Sequence, residues 1–422
     1  MQLKKLFTFL LFLGTALAFS QEKFTISGTI SEAETGETLI GVNVIIPSLQ
    51  TGTVTNQYGY YSITLPKGEY EIVYSSIGFA AQKVQISLSE NVKKDLALTT
   101  DTESLDEVII EANNERLNVR SSQMSANTLS TTTIKKIPVV LGEVDVIKAI
   151  TLLPGVTSAG EGASGFNVRG GAADQNLILL DEATLYNSSH LFGFFSVFNP
   201  DAIKDLTLYK GGIPARYGGR VSSVLDIYQK DGNKREYHAS GGIGLVASRL
   251  LLEGPIKKNV ASFLVGGRSS YAHLFLPLFD NDNVAYFYDL NAKLSYNLND
   301  NNRLFLSGYF GRDVFEISDS FANSFGNTTL NLRWNHLFSN KLFSNLSLIY
   351  SDYYYGLELK FVEFDFDSGI RNFNLKYDFT HYISNNIDLR YGINSIYYKF
   401  NPGDVTPTTE DSGINPFKLT DK

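Results

Sequence analysis

The chain has 422 residues, enough for two or three domains with a sizeable core. Its 36 basic and 44 acidic residues give a formal net charge of −8 with no run of five like charges, which argues against a nucleic-acid binder. Cysteine is absent, which removes disulfide frameworks, thiolate metal sites and cysteine nucleophiles together. The five histidines lie far apart without an HExxH pattern, so a histidine metal site has little support. Aromatic residues are unevenly placed: Phe, Tyr and Trp supply 20 of residues 1–235 but 33 of residues 236–402, which predicts a change of architecture near residue 236.

Residues 1–20 place Lys4 and Lys5 before an apolar run from Leu6 to Leu17 and the small-residue sequence Ala16-Leu17-Ala18, the layout of a secretory signal peptide. That run is shorter than the roughly 20 residues of a membrane-crossing helix. No later segment approaches that length, so an exported chain that meets a membrane again must cross it as a β-barrel.

Short alternating runs dominate residues 22–100: Phe24 to Gly28, Val42 to Ile46, Tyr60 to Leu65, Tyr70 to Tyr74 and Val84 to Leu88. Turn chemistry at Thr35-Gly36-Glu37, Gln57-Tyr58-Gly59 and Pro66-Lys67-Gly68 separates them. Five to seven strands in so short a stretch predict a β-sandwich. Gly28, Thr38 to Val44, Gly52 to Asn56, Gly59, Leu65 to Tyr70 and Ile77-Gly78-Phe79 resemble the carboxypeptidase-regulatory-like domain. That resemblance implies a structural or docking module and no peptidase.

Residues 101–136 are polar and rich in Ser, Thr and Asn, as in a flexible linker. Embedded there, Leu105 to Ala112 is a β-branched run with flanking acids, suited to strand addition by a partner or to service as the last strand of the preceding domain. Residues 105–111 resemble the TonB box of TonB-dependent outer-membrane receptors, with Asp106, Glu107, Val108, Ile109 and Ile110 at its centre.

Between 137 and 230 the same family resemblance is closest. It is carried by Leu152 to Val156, Phe166 to Gly171, Asn176 to Asp181, Leu206 to Gly212, Pro214 to Gly219 and Ser222 to Ile227, in order and at family-like spacing. These segments resemble the receptor plug domain, which implies a compact α/β unit. One helix is expected at about 142–151, with Val144, Ile147, Lys148 and Ile150 near helical spacing. Glu182 departs from the family, which usually has glycine after Asp181. Arg169, beside Gly170 and Gly171, and Arg216 could bind an anion through neighbouring backbone N–H groups. The resemblance instead implies that they pair with acids of the barrel wall. Asn187, His190, Phe192 and Phe194 follow the Asp181 turn; they are candidate substrate contacts at an outward-facing surface or, equally, parts of a buried hinge.

From residue 236 to 402 the period is two. Leu290, Ala292, Leu294, Tyr296 and Leu298 alternate with Asn291, Lys293, Ser295 and Asn297; Leu330, Leu332 and Trp334 alternate with Asn331, Arg333 and Asn335. Phe373, Leu375, Tyr377 and Phe379 alternate with Asn372, Asn374, Lys376 and Asp378, and Ile387, Leu389, Tyr391 and Ile393 repeat the pattern. One apolar and one charged face fit a lipid-facing wall around a wet lumen. Short turns at 299–302, 339–341 and 384–386 alternate with expected longer loops near 274–284, 316–325 and 358–368 and from 402 onward. A plugged barrel needs about 22 strands, or roughly 440 residues. About eight strands are expected here, so the chain reads as the N-terminal part of a longer receptor that breaks off in an outer loop at 403–422.

The fold expected is therefore mainly β: an N-terminal sandwich, an α/β plug and about eight antiparallel strands of an incomplete transmembrane β-barrel. Gly242 to Ala247 fits a loose dinucleotide pattern but lies inside an alternating strand, and the acids Glu363, Asp365 and Asp367, like Asp280 and Asp282, read as solvated charge. No catalytic constellation, metal site or cofactor is expected. The resemblance implies a TonB-dependent importer of a small nutrient ligand, of the kind common in Bacteroidetes-like bacteria. Its partners would be a TonB-type energy-transducing protein, outer-membrane lipid and a surface lipoprotein, with no nucleic acid. A signalling or adhesion receptor on the same scaffold, or an inactive truncated fragment, are the alternatives.

Overall fold

The computed structural model describes residues 22–101, 125–130, 134–135, 144–160, 165–279, 283–318, 320–409, 413 and 415–419. The expected signal peptide, the expected strand-like box at 105–111 and the acids Asp280 and Asp282 lie outside the described residues. The chain divides into two compact units, one holding the N-terminal sandwich together with the turns at 337–343 and 380–390, the other holding the remainder.

In the first unit, β1 (Lys23–Glu32), β2 (Asn43–Ile46), β3 (Thr51–Val54), β4 (Tyr60–Pro66), β5 (Gly68–Ser75), β6 (Gln82–Leu88), β7 (Val92–Lys93) and β8 (Leu96–Leu98) form two sheets. One runs β3-β2-β5-β6; in the other, β1 pairs with β4 on one side and with β7 and β8 on the other. Alternate residues such as Ile26, Val44, Tyr61, Ile63, Leu65, Ile72 and Tyr74 bury a shared core, each large aliphatic contributing about 1.5–3 kcal/mol. The link between β7 and β8, which both run parallel to β1, passes so close that a Cβ at Gly28 would lie 2.0 Å from the Lys94 carbonyl oxygen, so only glycine fits. Within the same unit, Tyr60 stacks on Phe343 at 5.7 Å between ring centroids.

The second unit opens with β9 (Ala126–Ser130), α1 (Val146–Thr151), β10 (Val156–Ser158), β11 (Phe166–Val168), β12 (Asn176–Leu180), β13 (Ala183–Thr184), β14 (Ser189–His190), β15 (Phe195–Ser196), β16 (Ile203–Tyr209) and β17 (Ser223–Gln229). A five-stranded mixed sheet runs β13-β12-β17-β16-β9. Two expectations change here. The segment 126–130, read as linker, pairs antiparallel with 205–209. Thr128 and Thr207 hydroxyls meet at 3.0 Å, and Leu129 packs on the core, so a polar strand serves a sheet edge where few apolar contacts are required. The helix begins at Val146, because Asp145 is extended and its carboxylate caps the Lys148 N–H at 2.9 Å. Val146, Ile147, Ala149 and Ile150 then bury against Phe166, Ile178, Leu206, Leu225 and Ile227.

A ten-stranded antiparallel sheet follows in chain order: β18 (His238–Ile243), β19 (Ala247–Lys257), β20 (Ala261–Ser270), β21 (Val284–Asn299), β22 (Asn302–Ile317), β23 (Phe321–Ser339), β24 (Leu342–Leu359), β25 (Phe364–Ser384), β26 (Ile387–Pro407) and β27 (Phe417–Lys418). Eight of these, β19 to β26, have ten or more residues, and shorter strands flank them. The expected long loops at 316–325 and 358–368 are largely strand, since Ile317 pairs with Phe321 and β25 begins at Phe364. Asp365 and Asp367 accordingly sit on β25, and β26 runs past 402 to Pro407, where Asp404 pairs with Lys418. Hydrogen-bonded pairing carries these strands beyond the apolar band that marks them in sequence.

The sheet buries its polar face. Asp289, Asn291, Lys293 and Ser295 are each 1% exposed, while Leu290 and Leu294 between them are 55% and 44% exposed. Asn331 and Arg333 on β23, and Asn372 and Lys376 on β25, are buried in the same way, with Leu330, Leu332, Phe373 and Leu375 outside.

Candidate functional site

The polar face of the sheet meets the α/β unit through charged side chains, and the hairpin β12–β13 is the central contact. Leu180 pairs with Ala183, leaving Asp181 and Glu182 as a two-residue turn with φ of 46° and 71°. Both residues are left-handed, the conformation of a primed hairpin turn that glycine adopts without cost. Glu182 occupies the glycine-favouring position because its carboxylate is used: it accepts from Asn345 Nδ2 at 3.0 Å, from the Ser347 hydroxyl, and pairs with Lys376 Nζ at 3.6 Å. These charge-assisted contacts offset a conformational cost of about 1–2 kcal/mol.

Asp181 faces a second wall cation. Lys293 Nζ lies 3.2 Å from Asp181 Oδ1, 3.0 Å from Asp231 Oδ1 and 2.7 Å from the Gln229 carbonyl oxygen. Three acceptors thus meet the three N–H groups of an ammonium that is 1% exposed. Burial opposes the charge of Asp231, yet Lys293 holds its carboxyl well below the usual carboxylate range. Farther along, Arg249 and Lys135 bind opposite oxygens of Asp201 at 2.8 and 2.7 Å; despite burial they depress its carboxyl too.

The polarity reverses in the loop 187–196. The His190 imidazole is 1% exposed, with Nδ1 2.7 Å from Asp313 and Nε2 3.1 Å from Asp289. Its ring stacks on Phe287 at 4.3 Å. Asp289 is held in turn by Arg268, whose guanidinium also donates to the Ser196 and Phe198 carbonyl oxygens at 2.9 and 3.3 Å. His190 is therefore a wall anchor with no exposed surface for a substrate. Asn187 is also engaged: its carbonyl accepts from Asn327 Nδ2 at 2.9 Å, and its side chain accepts from the Ser189 N–H at 3.0 Å. Phe192 and Phe194 remain open, 38% and 59% exposed. Phe192 has φ of 55° and meets Phe315 edge-on at 5.1 Å.

The two arginines read as wall contacts turn to partners within the α/β unit. Exposed Arg169 donates to Ser125 Oγ at 2.9 Å, and Gly170 and Gly171 form the adjoining turn. Arg216 donates to Tyr217 Oη at 2.9 Å, and Tyr217 donates to Asp226 at 2.6 Å. Short β10–β11 and the 211–220 loop place both arginines beside tyrosine and serine hydroxyls of their own unit, so the wall is gripped by Asp181, Glu182, Asp201 and His190 instead. Sequence named Lys293 and Lys376 only as members of a polar face. The signal that could have singled them out is a lysine inside an Asn- and Ser-rich alternating face, which requires an acid opposite. Among the described residues no group of histidines and acids is arranged to hold a metal ion.

Comparison with known proteins places this geometry. The CarboxypepD_reg-like domain family matches residues 26–110, and the TonB-dependent Receptor Plug Domain family matches residues 118–223. The TonB-dependent receptor SusC of Bacteroides thetaiotaomicron is 29% identical over 232 residues, covering 51% of this chain and 22% of the relative. The ferric enterobactin receptor PfeA of Pseudomonas aeruginosa, solved as a mutant, superposes with a TM-score of 0.51 at 13% identity over 68% of this chain and 50% of that one. The Serratia marcescens hemophore receptor HasR, solved as a double mutant with its hemophore HasA and heme, gives 0.51 at 13% identity over 69% and 47%. The chain thus spans less than a quarter of the curated relative and about half of each of these structures; at such identity the structures speak for the fold.

Proposed function

We propose that this chain, which carries the plug and regulatory-like domains found in TonB-dependent receptors, belongs to an outer-membrane importer for a small nutrient ligand, an iron chelate, glycan or peptide. The carrying observation is the inverted sheet: polar residues buried against the plug, apolar residues exposed on the other face. That arrangement suits lipid outside and a filled, wet lumen inside. An N-terminal signal sequence would deliver the chain to that membrane. The ligand would meet the outward surface around Phe192 and Phe194. A TonB-type partner would capture residues 106–110 by strand addition, and force on that segment would strip plug contacts from the wall and open a path. Charged and amide contacts suit such a step, because water can replace them one at a time where an apolar interface would have to part at once.

The test is uptake and surface binding of labelled ferric chelates, oligosaccharides and peptides by cells carrying the complete receptor gene. Deleting residues 105–111 is expected to abolish uptake and leave binding intact. Uptake that survives the deletion would overturn the energised-import reading, and loss of both would indicate a chain that no longer folds or reaches the surface.

A further inference from the structure

His190 is the one histidine of the described plug residues, and both of its ring nitrogens face carboxylate oxygens, Asp313 at 2.7 Å and Asp289 at 3.1 Å. A neutral imidazole carries a single N–H and could satisfy one of them; the other nitrogen would turn a lone pair toward an anion. Only the doubly protonated ring donates to both. Charge counting agrees. The groups facing the ring are Asp313 and Tyr309 from β22, Asp289 from β21 and Arg268 from β20, with Tyr309 Oη 3.5 Å from Nε2 and Tyr353 of β24 near Asp313. Two carboxylates and one guanidinium leave one negative charge, which an imidazolium neutralises inside a site closed to water. The same Asp313 accepts the Leu191 N–H at 2.8 Å, so it grips both side chain and backbone of the loop.

We propose that His190 is a proton-dependent latch: charged, it fixes the plug loop 187–196 to wall strands β21 and β22, and loss of its proton releases that loop. Burial opposes the charge, but the carboxylates of Asp313 and Asp289 outweigh it and raise the ring above its ordinary value of 6.5. With a raised folded value, the latch is complete below about pH 6.5 and is lost as pH rises through the folded value. The exposed rings of Phe192 and Phe194 lie two and four residues beyond His190, so this exposed aromatic surface is held or freed by the same proton. The latch stands on these contacts alone and does not depend on the import reading.

The test uses the full chain folded in lipid or detergent. Nitrogen NMR of histidine-labelled protein reads the ring directly, with the five signals assigned by single His→Gln substitutions at 238, 273, 336 and 381. His190 is expected to carry two N–H groups at pH 7; a neutral tautomer at that pH overturns the proposal. Amide exchange of residues 187–196, corrected for intrinsic rate, is expected to accelerate about tenfold or more between pH 6.5 and 9. In His190→Gln the loop should exchange fast at both pH values, because a neutral amide serves one carboxylate only. An equal pH slope in wild type and His190→Gln would also overturn it. Should that variant fail to fold, the ring signal of the unaltered chain decides.

Discussion

The sandwich strand β4 and the wall strand β21 share one pattern and bury opposite faces. In β4, Tyr61, Ile63 and Leu65 point into an apolar core; in β21, Asn291, Lys293 and Ser295 are buried and Leu290 and Leu294 are exposed. Each face is stabilised by different physics. Apolar burial in the sandwich is non-directional and scales with area. The wall–plug contact is directional: Asp181, Glu182, Asp201 and His190 each meet an opposite charge of the wall, and removing one partner leaves the other stranded. A sheet can therefore hold its neighbour by core packing or by paired charge, and alternation alone does not say which.

The largest expected effect comes from breaking the charged face. Lys293→Met leaves Asp181 and Asp231 buried without their cation and is expected to cost about 3–5 kcal/mol, read as a fall in the urea midpoint of the full chain in detergent. The equivalent insult to the exposed face is smaller and depends on the solvent. Leu290→Lys is expected to cost about 2–4 kcal/mol in a lipid bilayer, measured by folding yield into vesicles; no penalty in lipid would mean that this face does not meet hydrocarbon.

A third substitution sharpens the comparison inside the plug, where one acid lacks an adequate counter-charge. Burial pushes the Asp205 carboxyl up to about 6 from 3.8, against the pull of Lys204. Its folded value is raised, so its favourable contribution is complete below about pH 4 and is lost as pH rises through about 6. Asp205→Asn should then stabilise the plug by about 1–3 kcal/mol at pH 8 and change little at pH 4, compared through urea midpoints at the two pH values. At the small end, Ile77 of the sandwich is 96% exposed. Ile77→Ser is expected to stay within about 0.5 kcal/mol, and a larger loss by thermal melting would reveal a contact that exposed face makes in the folded chain.

How much of this was legible varies by residue. Period-two runs located the sandwich strands and the wall strands, because side-chain alternation is a property of extended backbone and needs no partner to be read. The strand 126–130 was hidden, since its polar composition matches a linker and only pairing with β16 makes it a strand. Loop lengths at 316–325 and 358–368 were overestimated because hydrogen-bonded pairing continues where the apolar signal fades. Among site residues, His190 was open to two readings, an outward substrate contact or part of a buried hinge, and the fold buries its ring between Asp289 and Asp313. Arg169 and Arg216, marked by neighbouring glycines, found hydroxyl partners in their own unit.

By itself the sequence determined the order of elements, the change of architecture near residue 236 and the two-faced character of the later strands, all of which are local properties of side-chain period and composition. Tertiary structure alone decided which wall lysine meets which plug acid, and why Glu182 tolerates a left-handed backbone. Those outcomes depend on charges more than a hundred residues apart in sequence, such as Asp181 and Lys293, coming within a few ångströms where water no longer screens them.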